Sequence, residues 1–354
     1  MASHSLKKGW IWGMLIAIGM VIAVVGSTLG SSALVATAAT QPTYTVKDLG
    51  TLGGFFSIGT GINNVGQVVG GAYISSNDDH AFLWKKGKKI DLGTLGGKTS
   101  RAFAINDAGQ VVGVATISSG KGHAFLWEKG KKIDLGTLGG TFSEASAINK
   151  TGQVVGIASI SSDSNIYHAV LWEKGKKKDF GAFDGQNSAA SAINDAGQVV
   201  GQSVTSSGYY RAVLWDKNNM IDLGTFGGDV SHASDINNAG QVVGTATISS
   251  GKGHAFLWEK GKLKDLGTLG GQNSAASAIN KTGQVVGSST TSTSGLYTKA
   301  VLWDKGSIKN LNNLIPPTSG WLLDSALDIN DKGQIVGLGK INGKFRAFLL
   351  TPVK

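Results

Sequence analysis

The sequence predicts an all-β protein, a seven-bladed β-propeller of four-stranded antiparallel blades, and three observations predict it. The heptapeptide Asp-Leu-Gly-Thr-Leu-Gly-Gly at 48–54 returns at Asp91, Asp134, Asp222 and Asp265, in altered form at Asp179, and as a degenerate Asn-Leu-Asn at Asn310. A second motif, Ile-Asn-x-x-Gly-Gln-(Val/Ile)-Val-Gly, recurs with its glutamine at Gln67, Gln110, Gln153, Gln198, Gln241, Gln284 and Gln334. Repeats of roughly 40–50 residues built from short strands are the signature of propeller blades. Finally, the repeat region begins with a lone fourth strand and ends on a third strand that lacks one, so the two ends can complete a single blade.

Taken in order, residues 1–39 read as a signal peptide. Lys7 and Lys8 precede an apolar run from Trp10 to Val25, and Ala36-Thr37-Ala38 supplies small residues for cleavage near Ala38. A secreted, extracellular protein is expected, with an uncleaved membrane anchor as the alternative. Residues 43–354 form one propeller domain. In the copy beginning at Asp91, strand character falls at Ala102 to Asn106, Gln110 to Thr116, His123 to Glu128 and Lys132 to Leu135. The first two are joined by Asn106-Asp107-Ala108-Gly109, in which Asn caps its own turn and Gly takes positive φ. A second hairpin bends at Lys129-Gly130. Along His-Ala-Phe-Leu-Trp, alternation puts His123, Phe125 and Trp127 on one face and Ala124 and Leu126 on the other. Both faces are apolar, so both must be covered, which suits a blade between two neighbours. Trp84, Trp127, Trp172, Trp215, Trp258 and Trp303 are therefore read as packing between blades. Tyr44 to Leu49 is expected to pair with Arg346 to Leu350 and close the ring, which removes the exposed sheet edges.

Composition narrows the function. No cysteine is present, which excludes disulfides and cysteine-ligated metals. Lys and Arg total 33 against 23 Asp and Glu, for a net charge of +10. A basic secreted protein favours anionic surfaces such as wall polymers, acidic glycans and lipid head groups. Nucleic acid is not expected, since no binding motif appears.

Gly-Gln-Val-Val-Gly followed by His-Ala-Phe-Leu-Trp at His80, His123 and His254 resembles the bacterial HAF-repeat family, the probable extracellular repeat proteins. The resemblance spans about 310 residues and departs where Val170, Val213 and Val301 replace Phe, and where Arg211, Lys299 and Arg346 replace His. It implies a secreted bacterial repeat protein and no particular activity. Copies two and five share Thr-Ile-Ser-Ser-Gly-Lys-Gly-His-Ala-Phe-Leu-Trp-Glu-Lys-Gly-Lys, and copies three and six share Ile-Asn-Lys-Thr-Gly-Gln-Val-Val-Gly and a longer loop with Tyr167 or Tyr297, as if a three-blade block had been duplicated.

Searched for chemistry, the chain shows little. Gly96-Gly97-Lys98-Thr99-Ser100 lacks the spacing of a phosphate loop and leads into a strand. Asn149-Lys150-Thr151 and Asn280-Lys281-Thr282 match a glycosylation sequon, but both asparagines are the repeating turn residue. The Asp of each Asp-Leu-Gly reads as a structural acceptor, and no blade is read as carrying an acidic, His or Ser cluster absent from the others. Two series stand out. The residue before Ala in each third strand is cation-capable, at His80, His123, His168, Arg211, His254, Lys299 and Arg346, and these would form a ring near one rim. Loops before that ring hold Tyr73, Tyr167, Tyr209, Tyr210 and Tyr297, which suit sugar stacking. On the opposite face the second hairpins carry Lys85, Lys86, Lys88, Lys89, Lys129, Lys131, Lys132, Lys174, Lys176, Lys177, Lys178, Lys260 and Lys262.

The function expected is a secreted, non-catalytic binding module for an anionic or hydroxyl-rich extracellular polymer, a polysaccharide or wall polymer, acting as a monomer without cofactors. Its lysine-rich turns could also meet a membrane surface. The alternatives are a propeller hydrolase with its site at the channel mouth and a purely structural surface protein.

Overall fold

The computed structural model describes residues 43–353 apart from 77, 163–165, 185, 218 and 293–297. The signal segment lies outside the described residues, as does Tyr297. Seven four-stranded antiparallel sheets follow one another along the chain. Blade 1 consists of Gly53–Ile62, Val68–Ile74, Asp79–Lys85 and Lys88–Asp91, and blades 2 to 6 repeat that order up to Ser307–Asn310. Blade 7 takes Trp321–Ile329, Ile335–Ile341 and Lys344–Pro352 from the C-terminal end and Tyr44–Asp48 from the N-terminal end. Tyr44 lies opposite Pro352 and Asp48 opposite Phe348, so the expected closure is the observed one.

The first strand of every blade touches the first strands of both neighbours, so these seven strands line the centre and the fourth strands form the circumference. Burial is organised between sheets. Seven apolar clusters each combine residues of two adjacent blades: Val69, Ala81, Leu83 and Leu92 of blade 1, for example, meet Ala102, Ile105, Val111 and Phe125 of blade 2. Every repeated tryptophan sits in the cluster shared with the preceding blade. Phe82, Phe125 and Phe256 are fully buried, and truncating one to Ala would cost about 3–5 kcal/mol.

Two repeated features explain the motifs. The last glycine of Gly-Gln-Val-Val-Gly faces a bulge in the first strand, where register shifts between Ala102 and Ala104 in blade 2. A Cβ on Gly113 would stand 2.0 Å from the Arg101 carbonyl oxygen, so no larger residue fits. The turn asparagines are buried, and each donates from Nδ2 both to its own glutamine and to the next asparagine's carbonyl: Asn63 to Asn106, Asn106 to Asn149, and on to Asn330, which returns to Asn63 at 3.0 Å. This closed circle ties the seven inner strands together at one face, independently of the shared blade. It also places Asn149 and Asn280 inside the fold, 4% and 3% exposed.

Candidate functional site

The cation series does lie at one end of the third strands, opposite the Asn-x-x-Gly turns, and most of it is engaged. His80 Nδ1 is 2.8 Å from Asp91, His123 2.8 Å from Asp134, His168 2.8 Å from Asp179 and His254 2.7 Å from Asp265. Arg211 pairs with Asp222 at 3.2 Å. The partner in every case is the Asp of Asp-Leu-Gly, which the hairpin register places two residues along the same face. That Asp also accepts the Gly N–H two residues on, as Asp91 does from Gly93 at 2.7 Å, and so bends the chain toward the next blade. In five blades the side chain of the series is thus held by its own blade's carboxylate.

Blades 6 and 7 differ. Asn310 stands where the acid would be, and among the described residues no carboxylate lies in ion-pair range of Lys299. Arg346 turns inward and donates from Nη1 to the Phe55 and Phe345 carbonyls. The tyrosines are likewise placed one by one. Tyr73 packs on Phe55 and Phe56, with centroids 5.0 and 5.3 Å apart. Tyr167 meets Phe142 edge-on at 5.9 Å, Tyr210 lies beside the ring of His232, and Tyr209 is 45% exposed.

At the opposite face the lysine series divides. Lys89 and Lys132 leave the rim, correcting the sequence reading. Their ammonium groups fold into the junction with the preceding blade and donate to Gly50 O at 2.7 Å and Gly93 O at 2.5 Å, over the rings of Phe82 and Phe125. Burial pulls Lys89 down to about 7 and Lys132 to about 8. Period-two alternation along the short fourth strand points to this, because Lys89 and Lys132 lie opposite Trp84 and Trp127, which pack toward the preceding blade. The hairpin lysines remain outside. Lys86, Lys129, Lys174, Lys217, Lys260 and Lys305 are exposed, each followed in blades 1–3, 5 and 6 by a left-handed glycine.

What sequence reading missed is on the inner strands. Blade-specific side chains occur where other blades have Ala, Gly, Ser or, at Ile58, isoleucine: Arg101, Glu144, His232, Asp235 and Asp328. Arg101 Nε donates to Asp79 Oδ2 of blade 1 at 2.7 Å, and His232 meets Gln202 of blade 4. Asp235 accepts the N–H groups of Ile236 and, across the junction, Ile279 at 2.9 Å, while Asp328 does the same with Ile329 and Ile62 at 2.7 Å. Burial pushes Glu144 up to about 7 despite the nearby Arg101 charge. It likewise raises Asp235 to about 7, with the Asp328 charge adding to the effect and the two backbone donations opposing it, and Asp328 to about 6. Both aspartates are committed to joining blades. No group of three or more His, Asp or Glu suited to a metal occurs among the described residues.

No family model and no curated protein matches the chain. Solved structures do. The β-propeller domain of the trilobed protease from Pyrococcus furiosus, described as having an open velcro topology, aligns with 71% of this chain and 82% of its own at a TM-score of 0.50 and 12% identity. TolB from Acinetobacter baumannii covers 80% of both chains at 0.47 and 14% identity. XC5397 from Xanthomonas campestris, a gluconolactonase, covers 89% and 92% at 0.43 and 10%. At such identities the likeness concerns the propeller fold alone.

Proposed function

We propose that the protein is a secreted, non-catalytic binding module that attaches to anionic extracellular polymers through the lysine rim of its hairpin face. One observation carries this reading. At the first position of the hairpin between third and fourth strands the backbone is left-handed, with φ between 49° and 57° at Lys86, Lys129, Lys174, Lys217, Lys260 and Lys305. An L-residue there is strained by about 1–2 kcal/mol, and Asn is among the few that relieve it. Blade 7 has no such hairpin, but its second-to-third-strand turn adopts the same left-handed conformation with Asn342 at φ 49°, so a turn of this kind accepts Asn. Six blades nevertheless carry lysine, and among the described residues none of the six is ion-paired. Charge is favoured there over backbone comfort. Repetition around the circumference suits a repeating ligand, for which avidity accumulates over sites.

The resemblance to secreted HAF-repeat proteins and the apolar N-terminal segment support the extracellular setting. Co-sedimentation with polygalacturonate at pH 5.5 and 7.5, in low and high salt, tests the reading. Retention should fall steeply with salt, vary little with pH, and drop at least about tenfold when the six turn lysines become Asn. Retention unchanged by salt or by those substitutions would sink it. Retention rising at pH 5.5 would move the binding surface to the histidine ring instead.

A further inference from the structure

The face opposite the lysine rim is regular over blades 2 to 5 and breaks down around blade 7. Four departures coincide there. First, Asn310 replaces the acid that would hold Lys299, and Arg346 has turned away from its Asp toward Phe55 O. Second, a serine of each first strand accepts the backbone N–H of the preceding blade's third strand, as Ser100 does from Ala81 and Ser57 from Ala347. In blade 7 the sequence position of that serine is Asp324, which the bulge between Leu323 and Ser325 takes out of the ladder. Its carboxyl is raised by burial and lowered by the nearby charges of Lys340 and Lys299. Third, Lys340 sits over the Phe345 ring at 4.5 Å.

The fourth departure concerns the residue seven before the last isoleucine of each first strand, toward the channel mouth. Around the ring it reads Phe55, Lys98, Thr141, Gln186, Asp229, Gln272 and Leu322, in an array whose scaffold barely varies. Phe55 is 58% exposed and Leu322 55%, and they belong to adjacent blades. Tyr73 holds the Phe55 ring edge-on at 5.0 Å and 82°, so an exposed aromatic is fixed on a rigid strand at little cost in side-chain entropy. The cluster thus offers a flat apolar platform beside three cations and one carboxylate.

We propose that this surface over blades 7 and 1 is a single binding site for an anionic pyranose unit. The C–H face of the sugar stacks on Phe55, Lys340 and Arg346 meet its carboxylate or phosphate, and Asp324 accepts from its hydroxyls. The site deepens the polymer-binding reading: the lysine rim holds the chain by charge, and this surface recognises one unit of it. A surplus of cations selects the charged sugar, and the aromatic selects a ring over an inorganic anion.

The test uses the full propeller and isothermal titration with short probes that are too small to gain avidity on the rim. These are tetragalacturonic acid, its methyl ester, glucose 1-phosphate and inorganic phosphate. Saturable binding of the acid is expected, weakened about tenfold or more by esterification, by Phe55→Ala and by Lys340→Met. Phe55 and Lys340 are not core residues, and an unchanged thermal midpoint verifies that the variants are folded. Glucose 1-phosphate binding as well as the acid would identify the phosphate source of the charge, and its failure the carboxylate; either fits the site. Inorganic phosphate binding as tightly as the sugars, the ester binding as well as the acid, Phe55→Ala leaving affinity unchanged, or no saturable binding would each overturn the proposal. The rim variant with six Asn substitutions keeps the two readings apart. It should lose polymer retention and keep oligosaccharide affinity, whereas Phe55→Ala should do the reverse for the short probes.

Discussion

Blades 2 and 5 are near copies, and the way they differ separates scaffold from the surface that is free to change. From Ala115 to Lys131 and from Ala246 to Lys262 they are identical, through the second-to-third strand loop, the third strand and the hairpin. Their first strands instead differ at Lys98 and Asp229, Thr99 and Val230, Arg101 and His232, Phe103 and Ser234, and Ala104 and Asp235. Second and third strands are pressed between two neighbours, and any change of volume there is felt on both sides. The first strand borders the channel, where substitutions meet open space or a single junction. Change is concentrated where packing permits it, and the blade-specific charges therefore lie along the channel wall.

The comparison breaks most visibly if the shared scaffold is altered. Gly113→Ala in blade 2 and Gly244→Ala in blade 5 each place a Cβ 2.0 Å from a first-strand carbonyl, that of Arg101 or His232. Each should cost at least about 3 kcal/mol, measured by denaturant unfolding, because backbone has to move. The two costs should agree within error. A mild effect in either blade would mean that the bulge can relax and that this glycine is not what fixes the motif.

A divergent position sharpens the comparison. Asp235 occupies the place of Ala104, and its carboxyl is raised to about 7, well above the unfolded value of about 3.9. A group whose folded pKa is raised contributes stability that is full below the unfolded pKa and is lost as pH rises through the folded one. Wild type should therefore lose stability relative to Asp235→Ala between pH 4 and pH 8, by a few degrees in thermal midpoint. Asp328 raises Asp235 through its charge, so in Asp328→Asn the same loss should be centred at lower pH. Identical pH profiles for wild type and Asp235→Ala would show that the two amide donations from Ile236 and Ile279 already hold the carboxylate ionised.

Most of the fold was legible because it is carried by residues that recur: Asn and Gly fix the inner turn, both faces of His-Ala-Phe-Leu-Trp are apolar, and the unmatched end strands point to their own pairing. The site was less so, for a related reason. A reading built on recurrence discounts residues that occur once, such as Arg101, Glu144, Asp235 and Phe55. The pairing of His123 with Asp134 was within reach, since it follows from hairpin register. The loss of that acid at Asn310 was visible too, yet its consequence for Lys299 depends on where Asp324 sits, and a bulge between Leu323 and Ser325 sets that position.

The smallest effect concerns what the two copies share without needing it for packing. Lys129 and Lys260 hold the same left-handed turn position, with φ 49° and 50°, and both are exposed. Replacing either by Asn, which takes the same left-handed conformation at Asn342 in a different turn of blade 7, should raise stability by less than about 1 kcal/mol, because Asn tolerates this backbone region and nothing packed is lost. The gain should be equal in both blades and should coincide with slightly weaker retention on polygalacturonate. Should Lys129→Asn lower stability, lysine would be serving the turn itself, through its methylene stem or the neighbouring Glu128. The charge at this position would then be incidental, and the case for the rim as a binding surface would rest on net charge alone.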